Sequence, residues 1–269
     1  MVRILSLNAW GGRVHEPLIP YLAGAGADIL CLQEIVHTPA APSGWLDYRD
    51  GDLVLPQRAR LFEEVAAAVP NHRGWLSPSA RGTLEDEVGR PYPSEFGIAT
   101  FVSNRLSVIE QAVAFIHGDF SASGWGEHPR PRNAHALRLY DGYTGRIFTI
   151  IQLHGLRDPV GKADTPARTA QAERLASLVD RFRRLGEAMI VCGDFNLLPD
   201  SKTFEMLSER GLTELITTRG FSDTRTSYYA KAGRYADYLL VSPEAAIVRF
   251  DVVAEPEVSD HRALVLDFN

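Results

Sequence analysis

Short apolar runs rich in β-branched residues recur along the chain, and several follow one another with no helical pattern between them. Such runs predict β-strands, because branched side chains favour extended backbone. They fall at 2–8, 28–33, 97–102, 134–140, 147–153, 188–193, 236–241, 246–253 and 262–268. Helical patterns occupy 58–68 and 166–185. Because the middle and the end carry consecutive strands, a doubly wound sheet is disfavoured, and two stacked mixed sheets with helices outside fit the order.

The helical pattern at 166–185 has a clear start and one apolar side. Thr165 and Pro166 suit the cap and the first turn of a helix. The apolar stripe predicted to face the core consists of Ala170, Leu175, Leu178, Val179 and Phe182. Two stretches rich in glycine and proline, 37–57 and 117–133, are predicted to be long loops that shape a substrate site.

Length, charge and cysteine usage limit the class of protein. A chain of 269 residues suits one large domain, which we expect to span 1–269. The formal net charge is −6 and no long Lys/Arg run is present, which argues against a tight binder of long duplex DNA. Cys31 and Cys192 lie in apolar runs, so both are predicted to be buried reduced thiols. No apolar stretch of signal-peptide or membrane-spanning length is apparent, which predicts a cytoplasmic protein.

Polar side chains stand directly at the ends of the predicted strands. Asn8, Glu34 and His154 each follow an apolar run, as do Asp194 and Asn196. Near the C-terminus, Asp237 precedes one run and Asp260-His261 precedes another. Layered sheets present such positions at a common rim, so we expect these side chains to converge on one site.

The converging carboxylates indicate a metal site. Glu34, Asp194, Asp237 and Asp260 are the acids of this set. Buried carboxylates need a cation or hydrogen-bond donors, because an unpaired charge is costly in a low-dielectric site. Oxygen-rich ligand sets without cysteine suit hard cations, so Mg²⁺, or alternatively Mn²⁺, is predicted.

Two local patterns are open to a second interpretation. Asp194 and Asn196, two positions apart, suit a pair that activates and orients water, but Asp and Asn are equally favoured in a turn after a strand. His261 next to Asp260 suits a phosphate-contacting imidazole beside a metal-binding acid, although a lone histidine is more often structural. His128 and His135 are the other histidines whose role the sequence leaves open.

These motifs together carry a resemblance. They are Leu7-Asn8-Ala9-Trp10, Leu32-Gln33-Glu34, Leu153-His154-Gly155, Cys192-Gly193-Asp194-Phe195-Asn196, Ala236-Asp237-Tyr238-Leu239 and Ser259-Asp260-His261. In kind and order the sequence resembles the endonuclease/exonuclease/phosphatase superfamily, which includes deoxyribonuclease I. The resemblance covers nearly the whole chain and implies a four-layer α/β/β/α sandwich with two packed mixed sheets.

The resemblance also implies roles for the residues. Glu34 would be the principal metal ligand, with Asn8 and Asp260 beside it. Asp194 would position or deprotonate the attacking water, and Asn196 would hold that water or a phosphate oxygen. His154 and His261, the latter oriented by Asp237, would donate to the phosphate oxygens. Trp10 replaces the acidic or amide side chain of many members, which weakens the case for a two-metal site.

Further residues are weaker candidates. The resemblance implies a substrate-binding or catalytic acid near Glu95, and Arg157 and Lys162 follow His154 in a loop where they suit phosphate contacts. Solvated surface charges explain all three equally well. Trp10 and Trp125 suit stacking on a base or sugar, but tryptophans at strand ends more often fill a core edge.

The leading functional hypothesis is a metal-dependent phosphodiesterase or nuclease-like hydrolase. A phosphomonoesterase acting on a sugar, inositol or nucleotide phosphate is the alternative enzyme. A protein that binds a phosphorylated ligand without turnover is the alternative of another class. The expected substrate is a phosphorylated small molecule or a nucleic-acid end.

Overall fold

A computed structural model describes residues 1–42, 44–159 and 161–269. Its strands are β1 Val2–Asn8, β2 Ile29–His37, β3 Trp45–Asp50, β4 Leu53–Arg58, β5 His72–Glu85, β6 Pro91–Ser103, β7 Leu106–His117, β8 Arg132–Asp141, β9 Arg146–His154, β10 Ala188–Asp194, β11 Thr213–Glu214, β12 Asp237–Val241, β13 Ile247–Val252 and β14 Leu264–Phe268. Its α-helices are α1 His15–Gly24, α2 Leu61–Ala68, α3 Pro166–Phe182, α4 Lys202–Ser208 and α5 Leu215–Thr218, and a 3₁₀ turn covers Trp10–Gly12.

The strands form two mixed sheets. The eight-stranded sheet has the order β13-β14-β1-β2-β6-β5-β3-β4, and the six-stranded sheet has the order β11-β12-β10-β9-β8-β7. The main core lies between them, where Ile4 and Cys31 of the first sheet pack with Ile150 and Val191 of the second. This is the predicted sandwich of two packed mixed sheets with helices outside.

Helices cover the outer face of each sheet. Leu18 and Leu22 of α1 and Leu61 and Val65 of α2 pack on the eight-stranded sheet. Helix α3 begins as predicted, because the Thr165 side chain accepts a hydrogen bond from the Arg168 backbone N–H. Within the three described ranges, no helix combines the length and the apolar character needed to cross a membrane.

The apolar stripe of α3 differs from the prediction at its first turn. Ala170 is exposed, whereas Arg168 and Gln171 are buried. Arg168 donates to the carbonyl oxygens of Ala163 and Asn196, and Gln171 accepts from the Leu156 backbone N–H. These polar side chains are buried because they satisfy backbone groups of the loops beside the site.

The predicted boundaries need three corrections. Residues 37–57 are not one long loop, because β3 and β4 form a hairpin there. The helix predicted at 58–68 begins only at Leu61, since Arg58 still belongs to β4. Strands β5 and β7 were not predicted: β5 contains Gly74, Pro78 and Gly82, and β7 alternates exposed and half-buried residues at a sheet edge. Most of 117–133 is loop, as predicted.

The two cysteines are buried and not disulfide-bonded, as predicted. Cys31 on β2 and Cys192 on β10 are both buried and free.

Candidate active site

Strand register brings the predicted residues together at one rim. In the six-stranded sheet, Asp194 at the end of β10 is in register with His154 on β9 and with Asp237 on β12. In the facing sheet, Asn8 ends β1 beside Gln33 on β2. The amide of Asn8 crosses between the sheets and donates to Asp194 Oδ2 at 3.0 Å. Polar residues that lie next to apolar runs in the sequence are therefore neighbours in the structure.

Asp194 lies at the centre of this arrangement and is 1% exposed. Its Oδ2 atom lies 3.8 Å from His154 Nε2 and 3.7 Å from His261 Nε2. Burial raises the pKa of Asp194, but the charges of His261, His154 and Arg225 and the hydrogen bond from Asn8 outweigh it and bring the pKa to about 2. The carboxylate is therefore ionised at neutral pH.

His261 is oriented by Asp237. Its Nδ1 atom lies 2.9 Å and 2.8 Å from the two oxygens of Asp237. Burial lowers the pKa of His261, but the charges of Asp237, Asp260 and Asp194 together outweigh it, so the pKa is raised. His154 behaves oppositely, because burial and the charge of Arg132 hold its pKa well below the usual value. The two imidazoles facing Asp194 thus differ in their tendency to be protonated.

Glu34 reaches the rim through an irregularity in β2. The register between β2 and β6 shifts between Leu32 and Ile35, and Glu34 has a left-handed backbone with φ 57°. A bulge of this kind re-aims a side chain. Glu34 Oε1 accepts a hydrogen bond from Asn8 Nδ2 at 3.1 Å and lies 3.9 Å from His154 Nε2.

Asn8 is held on both sides of its amide. Its Nδ2 atom faces the carboxylates of Glu34 and Asp194, and its Oδ1 atom accepts the backbone N–H of Trp10 at 2.9 Å. In this orientation the amide nitrogen, rather than the oxygen, points at the acids.

Among the described residues, only one of the two carboxylate oxygens of Asp260 has a hydrogen-bond partner. Its Oδ2 atom accepts a hydrogen bond from Arg225 Nη1 at 2.8 Å. Its Oδ1 atom is buried and has no hydrogen-bond partner among the described residues, although His261 Nε2 lies 3.7 Å away. Buried carboxylate oxygens normally have partners. The unpartnered oxygen therefore fits a site that receives a cation or a donor from outside the chain.

Asn196 forms the turn that its motif allowed as the second interpretation. Its backbone N–H donates to Asp194 Oδ1 at 2.9 Å, which is the hydrogen bond of an Asx turn. Its φ of 55° is left-handed, and its Nδ2 atom lies 3.3 Å from the carbonyl oxygen of Gly155. The turn places the Asn196 side chain beside Asp194.

The weaker candidates lie in different settings. Glu95 is half-buried within β6, in register with His37 and Arg81. Arg157 is exposed, and its charge lowers the pKa of His154.

Lys162 is hydrogen-bonded to the loop before β12. Its ammonium donates to the carbonyl oxygens of Gly233 and Tyr235. Burial, reinforced by the charge of Arg225, lowers the pKa of Lys162 to about 8, while Asp194 and Asp237 oppose the shift.

Three arginines near the acids were missed in the sequence. Arg225 bonds Asp260, as described above. Arg132 is buried and donates to the carbonyl oxygens of Pro131 and Gly155, and burial lowers its pKa to about 10 against the charges of Glu34 and Asp194. Burial also lowers the pKa of Arg13, opposed by Asp260 and Glu34. Arg132 is the first residue of β8, so its position at a strand end was the available signal. Arg13 lies in a turn and Arg225 in an isolated β-bridge to His261, and the sequence gave no signal for either.

Possible metal-binding atoms are concentrated here. Asp194, Asp237 and His261 each offer one ligand atom, and these atoms lie within 4.8 Å of one another. This set differs from the predicted ligands Asn8, Glu34 and Asp260. The bond between His261 and Asp237 accounts for part of its compactness.

Comparisons with known proteins agree with the observed fold. The model of the Endonuclease/Exonuclease/phosphatase family matches residues 5–261. A search of curated proteins finds no match. Similar solved structures include a mannosyl-6-phosphatase from Bacteroides thetaiotaomicron, with 16% identity, a TM-score of 0.69 and 100% of each chain covered.

Two other solved structures are similar to this chain to the same degree. The human Nocturnin catalytic domain with a bound sulfate anion has 20% identity and a TM-score of 0.65, with 100% of this chain and 93% of that chain covered. An endonuclease/exonuclease/phosphatase from Bacteroides vulgatus has 17% identity and a TM-score of 0.68, with 100% and 98% covered. At these identities the likeness concerns the fold. The family model, which spans nearly the whole chain, shows that this protein belongs to the endonuclease/exonuclease/phosphatase family.

Proposed function

We propose that this chain uses a divalent cation to hydrolyse a phosphate ester, and that the ester it prefers is a phosphodiester. The observation that carries the proposal is the setting of Asp194, an ionised buried carboxylate between the Nε2 atoms of His154 and His261. One acceptor between two potential donors suits a water held beside a phosphate. Family membership supports phosphoric ester hydrolysis as the reaction class.

The site residues fit Mg²⁺ or Mn²⁺. The donors are carboxylate oxygens without cysteine, and Asp260 Oδ1 is buried without a partner among the described residues. We assign the cation to Glu34 and Asp260, with Asn8 contributing its oxygen if the amide turns away from Trp10. A bound divalent cation supplies positive charge that polarises the phosphate and stabilises the leaving oxygen.

Asp194 is placed to position or deprotonate the attacking water. Its ionised carboxylate lies between the two imidazoles and can accept a hydrogen bond, and then the proton, from the water. Asn196 holds the water or a phosphate oxygen from the adjacent turn. Phosphoryl transfer depends mainly on positioning and charge stabilisation, so the fixed geometry of these groups is their main contribution.

The two histidines stabilise the charge on the phosphate. His261 Nδ1 donates to Asp237, and the nearby carboxylates raise the pKa of the ring. In the protonated ring Nε2 also carries a proton, which it can donate to a non-bridging oxygen. His154 faces the same space from the neighbouring strand. Fixed donors aimed at developing negative charge are a large term in such reactions.

The substrate-binding roles of Glu95, Arg157 and Lys162 stay predictions. Lys162 has the best support, because the charges of Asp194 and Asp237 act on it. We propose one catalytic domain over 1–269, a phosphorylated small molecule or a nucleic-acid end as substrate, and a cytoplasmic location. The formal charge of −6 favours such substrates over long duplex DNA.

A phosphomonoesterase is the second candidate. The fold similarity to a mannosyl-6-phosphatase is the observation that favours it. A phosphate-binding protein without turnover is the third, and the ionised Asp194 between two imidazoles argues against it.

The deciding experiment measures hydrolysis of bis-p-nitrophenyl phosphate and p-nitrophenyl phosphate with Mg²⁺, with Mn²⁺ and after chelation. Wild type is compared with Asp194→Asn and with Asp52→Asn, which alters an exposed carboxylate in the β3–β4 turn. We expect metal-dependent cleavage that only Asp194→Asn abolishes. Preference for the diester supports the phosphodiesterase, and preference for the monoester supports the second candidate. Activity that survives Asp194→Asn would refute the assigned site.

A further inference from the structure

Arg13 stands at the rim of the site on a tightly constrained turn. Directly after β1, Trp10, Gly11 and Gly12 have left-handed φ values of 51°, 62° and 74°. A Cβ at Gly11 would lie 1.9 Å from Gln57 Oε1, so the turn packs closely on β4. A tryptophan rarely adopts such a backbone, and strained residues of this kind cluster at functional sites.

The turn places the Arg13 guanidinium on the Trp10 ring. The guanidinium carbon lies 3.9 Å from the ring centroid, and the Arg13 backbone N–H donates to the Trp10 carbonyl oxygen. Tyr228 packs on Trp10 from the loop before β12, with ring centroids 6.1 Å apart, and is half exposed. Stacking fixes the plane of a guanidinium while its N–H groups stay free at the edge.

The donors of this guanidinium are unused. Among the residues that the structure describes, the Arg13 side chain forms neither a hydrogen bond nor an ion pair. A half-buried arginine without a carboxylate or carbonyl partner suits an anion that comes from outside the chain.

The turn that carries Arg13 adjoins the proposed site. The Trp10 backbone N–H donates to Oδ1 of Asn8, and the Asn8 amide nitrogen donates to Glu34 and Asp194. The ring on which Arg13 stacks therefore belongs to a residue that is hydrogen-bonded to the site.

We infer that Arg13, stacked on Trp10, is a substrate-binding residue for a second anionic group that the substrate carries next to the ester being cleaved. The inference rests on the proposed function and narrows its substrate class to phosphate esters with a neighbouring phosphate or carboxylate. The planar donor edge of arginine matches the oxygens of either group bidentately.

The test is a binding measurement that needs no turnover. Calorimetry at fixed Mg²⁺ compares inorganic phosphate with pyrophosphate, which carries the second anionic group. Wild type is compared with Arg13→Met, Arg13→Lys and Trp10→Leu. Arg146→Met is the matched control, because Arg146 is the exposed first residue of β9, at the opposite end of that strand from His154.

We expect wild type and Arg146→Met to bind pyrophosphate more tightly than phosphate. Arg13→Met should weaken pyrophosphate binding roughly ten- to a hundredfold, the scale of a charge-assisted hydrogen bond, and leave phosphate binding nearly unchanged. Arg13→Lys and Trp10→Leu should lose part of the preference. Thermal melting checks that each variant is folded.

Equal affinity of wild type for the two ions, weak binding of both, or an unchanged preference in Arg13→Met would overturn the inference. The proposed function fails separately, by hydrolysis that survives Asp194→Asn or is absent from wild type.

Discussion

The Nδ1 atom of His261 lies 2.9 Å and 2.8 Å from the two carboxylate oxygens of Asp237. A carboxylate can only accept, so the proton resides on Nδ1 and the ring is fixed with Nε2 toward Asp194. The pair resembles a base and its orienting acid in other hydrolases.

Replacing Asp237 by Asn should impair turnover more than binding. The substitution removes the negative charge that raises the pKa of His261, so the ring becomes neutral and carries only one proton. When the amide oxygen accepts that proton from Nδ1, none is left on Nε2 for the phosphate. We expect kcat to fall by about 10²–10⁴. Steady-state kinetics on bis-p-nitrophenyl phosphate measure this, with Asp52→Asn as control. An unchanged kcat would show that His261 does not depend on Asp237.

Glu34→Gln should remove stabilisation by metal. In wild type, Mg²⁺ at a hundred times its dissociation constant should stabilise the fold by about 2.7 kcal/mol and raise Tm. Chelation should reverse the shift. Glu87→Gln, which alters an exposed glutamate, should respond like wild type. A full Mg²⁺ shift in Glu34→Gln would place the cation elsewhere, for example at Asp194, Asp237 and His261.

Arg225→Leu should destabilise the fold. It leaves Asp260 buried without its cation, since the two side chains are only 6% and 11% exposed. Breaking such a buried pair costs about 3–5 kcal/mol, which urea unfolding can measure. Arg249→Leu breaks an exposed pair with Asp251 and should cost about 0–1 kcal/mol. Equal losses in the two variants would contradict a special role for Arg225.

His135 should make the fold sensitive to acid. Burial lowers its pKa to about 4, while the unfolded chain titrates near the ordinary 6.5. The unfolded state therefore binds the proton more tightly, and stability falls as the pH falls from about 6.5 to 4, by up to about 3 kcal/mol. His135→Gln should reduce this loss of stability in acid. His128→Gln, at an exposed site, should lose as much stability between pH 6.5 and 4 as wild type. If His135→Gln lost as much, other groups would cause the effect.

Most of the predicted strands carry continuous apolar runs that are buried on both faces, whereas the predicted strand β13 is an edge strand with exposed residues. The hairpin of β3 and β4 lacks this signal: it lies at a sheet edge, most of its residues are exposed or half-buried, and it carries Pro56. Strand β7, at the edge of the other sheet, was missed for the same reason.

The sequence by itself identified the apolar runs of the strands around the site and the polar residues that follow or precede those runs. Asn8, Glu34, His154, Asp194, Asp237, Asp260 and His261 were all identified in this way, and the structure brings them to one rim. Hydrophobic burial explains this success, because each run must enter the core and each polar residue must remain at its edge.

Only the tertiary structure decided which groups meet across that rim. Asn8 bonds Asp194 over 186 positions of sequence, and Arg225 bonds Asp260 over 35. The bulge that aims Glu34 and the stacking of Arg13 on Trp10 likewise depend on packing against neighbouring strands. Such contacts follow from sheet order and register, which are set by the whole core rather than by any local pattern.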